Sequence, residues 1–356
     1  MSGTVAPTPS AVALAGDTEA VPSTLFTAIH GAPREDARAT AFAVVKDEMY
    51  NLRAFFDHHR RLGVDQFILL DDRSSDGTRE WLTAQPDTVV VASERGYGER
   101  IAWTGGTQRI GILAKTVIPQ RYLAGRYALC LDADEFLVLP PGVASVPALF
   151  DVLARHDVRS VAANLIDFYP QTVHEMDVEQ ELPTSPAMLG AHAWFDATPL
   201  LGWQRADAEP VEVGENASTR LFRKHRVKAV PANMLGAPQW LNRLLPYKYP
   251  ETTVLKTPVV RWDPGVTYVN SHFANVAPTQ QVLLGLAHMK FTFDLSRRTR
   301  YAVESRAYVR GSRKYQWYEQ LLDSMRRRDP SFLGPKSRQF ESPADFATAG
   351  LTQFDL

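Results

Sequence analysis

The sequence predicts an α/β protein built on a mostly parallel sheet. Short runs that are apolar at every position alternate with helix-length segments, the pattern of strands covered on both faces. Two of these runs stop abruptly at carboxylates, and ligands of parallel sheets sit beyond the carboxyl ends of the strands.

The elements follow in order. Residues 41–45 (Ala-Phe-Ala-Val-Val) form the first apolar run. Asp47 is placed to cap a helix with Leu52, Phe55 and Phe56 on its inner face and Gly63 at its end. Residues 66–70 form a second run, ending in the polar turn Asp71-Asp72-Arg73-Ser74-Ser75-Asp76-Gly77-Thr78, and a helix through Trp81 follows. Residues 88–91 are a third run. Gly96-Tyr97-Gly98 opens a loop, and a helix is expected from about Thr107 to Val117. Residues 127–131 deliver the chain to Asp132-Ala133-Asp134-Glu135. Residues 161–166 lead in the same way into Asp167-Phe168-Tyr169-Pro170. Residues 170–250 are rich in Pro, Trp, Tyr and charge and read as long loops with short strands, a region suited to facing an acceptor. A short strand over 266–269 precedes His272. Residues 281–328 read as helical with a break near Gly311, and the tail after Pro330 as ordered in part.

Composition narrows the class. The chain has 356 residues, 45% hydrophobic and 22% charged, as in a soluble globular protein. A formal net charge of −1 gives no overall signature for nucleic acid. One cysteine, Cys130, excludes an intrachain disulfide framework and fits a reducing, cytoplasmic location. No run reaches the roughly 18 apolar residues of a membrane span, and the first residues lack the positive patch of a signal peptide. Residues 1–22, rich in Ala, Pro, Ser, Thr and Val, read as a disordered leader. Between Lys290 and Arg328 there are eleven Lys/Arg against four Asp/Glu, which reads as a solvated face or as one that attracts an anionic membrane surface.

The acids carry the chemistry. Unpaired carboxylates at the end of a buried strand are costly to place there. A divalent cation offsets that cost, and Mg²⁺ or Mn²⁺ characteristically takes one or two carboxylates plus substrate phosphates. Asp132 and Asp134 lie two apart, so on a regular strand they point the same way and can share one ion. An acidic turn after a strand is the plain alternative. Both acidic clusters fall at strand ends, which argues for one site made by both.

At this point the chain resembles bacterial family 2 glycosyltransferases of the GT-A fold, in the branch with an LDADEF-type metal motif. The resemblance rests on Val45-Lys46-Asp47-Glu48, the turn from Leu70 to Thr78, the segment from Leu131 to Phe136, and Asp167-Phe168-Tyr169-Pro170. It continues through Thr257-Pro258-Val259-Val260-Arg261-Trp262, Asn270-Ser271-His272 and His288-Met289-Lys290-Phe291, covering roughly residues 41–322. The Asp71–Thr78 turn and the LDADEF cluster, about sixty residues apart on strand ends, are its most specific elements.

The resemblance implies a Rossmann-like nucleotide-sugar-binding sheet, an irregular acceptor region and C-terminal helices. It implies a metal-dependent transfer of one sugar, with inversion, from a nucleotide-diphosphate sugar to a glycan or lipid-linked glycan in cell-surface polysaccharide or lipopolysaccharide assembly. Asp132 and Asp134 match the metal and diphosphate motif, with Mn²⁺ or Mg²⁺ as the ion and His272 as a completing ligand. Asp71 or Asp72 matches the nucleoside-contacting acid, and Glu48 lies near the base-binding residues. Lys290, Arg220 and Arg261 are candidate phosphate or acceptor contacts. Inversion calls for one general base, for which Asp167, Glu215 and Asp196 are the candidates, Asp167 first. His58 and His59 read as structural. The expected division is a leader over 1–38, a transferase domain over 39–285 (nucleotide-sugar half 39–140, acceptor half 141–285), a helical segment over 286–330 and a tail over 331–356. The basic helices offer peripheral contact with an inner-membrane surface. Two other readings stand beside this one. A sugar nucleotidyltransferase would want a glycine-rich loop after the first strand, where Lys46-Asp47-Glu48-Met49 has none. A silent module keeping the fold would bind ligand without turnover.

Overall fold

The computed structural model describes residues 23–103, 106–178, 181–203, 210–229, 249–250, 252–305 and 309–356. Ten strands form one sheet: β1 (Phe26–His30), β2 (Thr40–Val45), β3 (Gln66–Asp71), β4 (Thr88–Ser93), β5 (Tyr127–Cys130), β6 (Glu135–Val138), β7 (Ser160–Asp167), β8 (Leu255–Arg261), β9 (Val282–His288) and β10 (Gln353–Phe354). Their order is β1-β4-β3-β2-β5-β8-β7-β9-β10, with β6 also paired to β9. Strands β2, β3, β4, β5, β7 and β9 run one way; β1, β6, β8 and β10 run the other. The sheet is therefore mixed and mostly parallel, with an antiparallel strand, β8, set in its middle.

The helices among the described residues are α1 (Met49–Arg61), α2 (Thr78–Thr83), α3 (Ile110–Leu123), α4 (Val146–Arg155), α5 (Val173–Met176), α6 (Ser185–Ala191), α7 (Ala217–Lys224), α8 (Phe293–Ser305), α9 (Val309–Arg328) and α10 (Pro343–Thr348). Helix α1 buries Leu52, Ala54, Phe55 and Phe56, and Phe56 stacks on Phe67 of β3 at 4.0 Å between ring centroids. Helix α3 is apolar nearly all round and is buried nearly all round, as such a helix must be. These two helices sit over separate apolar clusters, one containing Phe55, Phe67 and Leu129, the other Phe42, Ile68 and Ile118.

Several expectations are corrected. The leader expected over 1–38 contains β1, an edge strand antiparallel to β4; residues 1–22 lie outside the described residues. The helix expected from Thr107 begins at Ile110, because Arg100–Trp103 and Gly106–Arg109 first form a hairpin. The two halves of the expected transferase domain share one sheet, since β7, β8 and β9 extend the strands of the first half. Residues 266–269 form no strand beyond a single bridge between Tyr268 and Ala274. Residues 282–288, read as helical, are β9. The tail is ordered through α10 and β10: Phe346 of α10 lies so close over β9 that a Cβ at Gly285 would meet its ring carbon at 2.5 Å. Among the described residues no helix is long and apolar enough to cross a membrane.

Candidate active site

Because β2, β3, β5, β7 and β9 share one direction, their carboxyl ends meet at one edge of the sheet. Lys46–Glu48, Asp71–Asp72, Asp132–Asp134, Asp167 and His288–Lys290 follow from those ends. Two of the turns are knitted together. Ser74 Oγ and Thr78 Oγ1 accept the backbone N–H groups of Asp47 and Glu48 at 2.9 and 3.0 Å. Asp76 accepts the N–H of Met49 at 3.0 Å and so caps α1 from outside. Asp47, expected in that role, instead takes a positive φ of 52° and accepts the N–H of Ser75 at 2.7 Å. Asp71 is fully buried and held by Arg79 at 2.6 Å. Asp72 turns toward the 96–98 loop and accepts the N–H of Tyr97 at 3.1 Å; burial raises its pKa.

Each acid of the central cluster is met by a cation. Asp132 binds Lys115 of α3 on one oxygen at 2.8 Å and Lys256 of β8 on the other at 3.3 Å. Lys256 also pairs with buried Glu135, which accepts the N–H of Asp132 at 2.9 Å. Asp134 faces His288 Nε2 and Arg298 Nη1 of α8, both at 3.6 Å. Burial pushes both aspartates up, but Lys115 and Lys256 at Asp132, and His288 and Arg298 at Asp134, outweigh it and hold both well below the carboxylate range. Arg298 continues to Glu48 at 3.1 Å; burial outweighs this partner and raises Glu48 to about 7.

His288 stands between two carboxylates. Its Nδ1 meets Asp167 at 3.0 Å, and its Nε2 faces Asp134. Burial opposes its charge, yet Asp134 and then Asp167 raise it to about 9. Asp167 also accepts the N–H and Oγ–H of Ser218 at 2.9 and 2.6 Å and is 2% exposed. Expected as a base facing an acceptor, it lies buried with one carboxylate oxygen bonded to His288 and the other to Ser218.

The other expected site residues divide. His272 keeps its imidazole neutral, lowered to about 3 by burial and by the charge of Lys256, and its Nδ1 is buried without a hydrogen-bond partner. It lies within electrostatic reach of Asp132. Asp196 is tied to Arg220 at 2.7 and 3.1 Å, and Glu215 to Arg223 at 2.9 Å. Neither joins the cluster; with Thr198 and Lys336 they line a separate hollow of about 470 Å³. The loop expected around Glu215 gives way to α7, capped by Asn216, which accepts the N–H of Thr219 at 3.1 Å. Arg261 lies at the far edge of the sheet, opposite Tyr127, bound to Asp157 and Asp263 at 2.8 and 2.9 Å. Being antiparallel, β8 carries Lys256 to the site and Arg261 away from it. Lys115, Lys256 and Arg298 were not anticipated. The first two carried a signal: a lysine inside an otherwise apolar run, in Leu113-Ala114-Lys115-Thr116-Val117 and Val254-Leu255-Lys256-Thr257-Pro258-Val259.

Among the described residues no three His, Cys, Asp or Glu side chains converge closely enough to hold an ion by themselves. The donors present are two ionised strand-end aspartates and a neutral imidazole with an orphaned nitrogen. That set fits a hard divalent cation that completes its shell with substrate phosphates, and does not fit a closed protein cage.

Behind the acids, β6 is fastened by two histidines. His58 Nε2 meets the carbonyl of Leu137 at 2.7 Å, and the N–H of Leu137 points at His59 Nε2 at 3.4 Å. Burial lowers His58 to about 4 and His59 well below its usual value. Both are harder to protonate folded than unfolded, so the unfolded chain binds more protons below pH 6.5. Stability is expected to fall as pH drops from 6.5 through about 4. Urea midpoints across that window check it, and His58→Gln should flatten the slope; a wild-type midpoint constant across the window refutes it.

No family model and no curated protein matches the chain. Among solved structures it is similar to the crystal structure of S. aureus TarS, at 14% identity and a TM-score of 0.26, over 81% of this chain and 43% of that one. The chain thus spans less than half of that structure's chain. A likeness this slight carries no argument, and the functional reading rests on the site itself.

Proposed function

We propose that the chain is a glycosyltransferase that moves one sugar from a nucleotide-diphosphate donor to a glycan or lipid-linked glycan. The observation that supports it is the convergence at one sheet edge of ionised Asp132 and Asp134 with Lys115, Lys256, His288 and Arg298. In such a transfer the acceptor oxygen bonds to the anomeric carbon and gives up its proton to a base or to water, and the bond from that carbon to the diphosphate oxygen breaks. Negative charge then grows on the leaving diphosphate, where fixed cations lower the barrier. Asp132 and Asp134, with His272 as the neutral donor, are the residues that would hold Mg²⁺ or Mn²⁺, which when bound supplies Lewis acidity. Asp167 holds His288 in one orientation toward that charge.

The test is a thermal-shift screen of UDP, GDP, ADP and dTDP, each with and without Mn²⁺, since a ligand that binds the folded state raises its melting temperature. A shift with one nucleotide that needs the metal supports the reading and names the donor class. No shift with any of them removes it.

A further inference from the structure

The basic excess of the C-terminal helices is partly turned inward. Lys290, just after β9, sets its ammonium 5.0 Å above the ring of Tyr318 and 6.0 Å from that of Tyr315. Both tyrosines lie on α9, next to Lys314. Tyr318 is buried and donates to Ser218 Oγ at 3.0 Å, the same hydroxyl that holds Asp167, so the floor under Lys290 is fixed to the site. Burial and the like charge of Lys314 push Lys290 down to about 8. Asp134 and Asp167 lie within the electrostatic reach of both lysines. Among the described residues no carboxylate comes within ion-pair distance of either ammonium.

Two like-charged ammonium groups that no carboxylate pairs directly repel each other, and an anion between them offsets that cost. A phosphate oxygen suits a lysine, which binds it as a point charge. We propose that Lys290 and Lys314 form an anion subsite for a diphosphate group, floored by Tyr315 and Tyr318. The subsite deepens the transfer reading and rests on it for the diphosphate's identity, which belongs either to the nucleotide donor or to a lipid-linked acceptor. It also makes α9 part of the binding site.

The test is calorimetric titration of the full chain with inorganic pyrophosphate, then with the nucleoside diphosphate chosen by the thermal screen and with farnesyl diphosphate. Lys290→Met and Lys314→Met are each expected to weaken pyrophosphate binding roughly tenfold or more, the worth of one charge-assisted hydrogen bond. Lys336→Met, at an exposed lysine on the other hollow, should match the wild type. Should Lys290→Met fail to fold, Lys314→Glu is the exposed-site substitute, and Lys314→Arg should restore binding. Loss confined to the nucleoside diphosphate assigns the subsite to the donor; loss confined to farnesyl diphosphate assigns it to the acceptor. Binding that survives both methionine substitutions, or no pyrophosphate binding by the wild type, overturns the proposal. A chain that holds pyrophosphate through both lysines but transfers no sugar keeps the subsite and removes the transfer reading.

Discussion

Under the proposed transfer, Asp134→Asn is expected to slow turnover roughly a hundred- to a thousandfold, the loss seen when one preorganised electrostatic group is removed from a reacting site. Asparagine keeps the shape and one acceptor oxygen but not the charge. In the native site that charge is shared by His288 and Arg298, each 3.6 Å away. Neutralising it frees both cations to shift toward their remaining partners, Asp167 and Glu48. It also removes one of the two carboxylates proposed to hold the ion. The fold should survive, because Asp134 lies in the turn between β5 and β6 and its backbone carbonyl still accepts the N–H of Met289 at 2.8 Å. Initial rates with saturating Mn²⁺, set beside melting curves, check the prediction. Unchanged rates would take Asp134 out of the chemistry; a collapsed melting temperature would make it a folding residue.

Lys256→Met is expected to act on stability, lowering it by about 3–5 kcal/mol, the cost of breaking one side of a buried ion pair. Lys256 is fully buried in the middle of the sheet, and its ammonium neutralises Glu135, itself 1% exposed, and shares Asp132. Methionine fills the space but strips the buried Glu135 carboxyl of its counter-charge, so that it either stays charged in a dry setting or takes up a proton, and both cost stability. The double variant Lys256→Met/Glu135→Gln should recover most of the loss, because the stranded charge goes with its partner. Urea denaturation of the four species of that cycle measures the coupling. Additive losses would show that the two side chains do not support each other. Asp132 keeps Lys115 in either case, so the cycle separates the pair from the rest of the cluster.

Much of the fold was legible and part of the site was not. The runs that became β2, β3, β4, β5 and β7 announce themselves because strands covered on both faces need an apolar residue at every position. Arg261 was singled out through the family resemblance; nothing in the sequence tells that the strand Leu255–Arg261 runs antiparallel and so carries Lys256, and not Arg261, to the site. The run that became β9 was lost to the helical pattern that follows it, since periodicity alone does not separate a short buried strand from a buried helix segment. Asp132 and Asp134 were legible because charge directly after an apolar run demands a partner. Lys115, Lys256 and Arg298 were not, because they come from three elements, α3, β8 and α8, that only the fold brings together. Asp167 was found for its position; its bonds to His288 and to Ser218, which arrives from α7, were not legible.

The place of β8 in the sheet has a consequence for synthesis. Strands β5 and β7 are not hydrogen-bonded to each other; β8 lies between them, and it leaves the ribosome only after residue 261. A nascent chain short of that point holds one half-sheet, β1-β4-β3-β2-β5, with β5 as a bare edge of unpaired backbone groups, and β7 as a strand with neither neighbour, since β9 and β10 come later still. Such edges are templates for pairing with another chain. The late strand that shuts this window also delivers Lys256, so closing the sheet and neutralising Asp132 and Glu135 fall in one event.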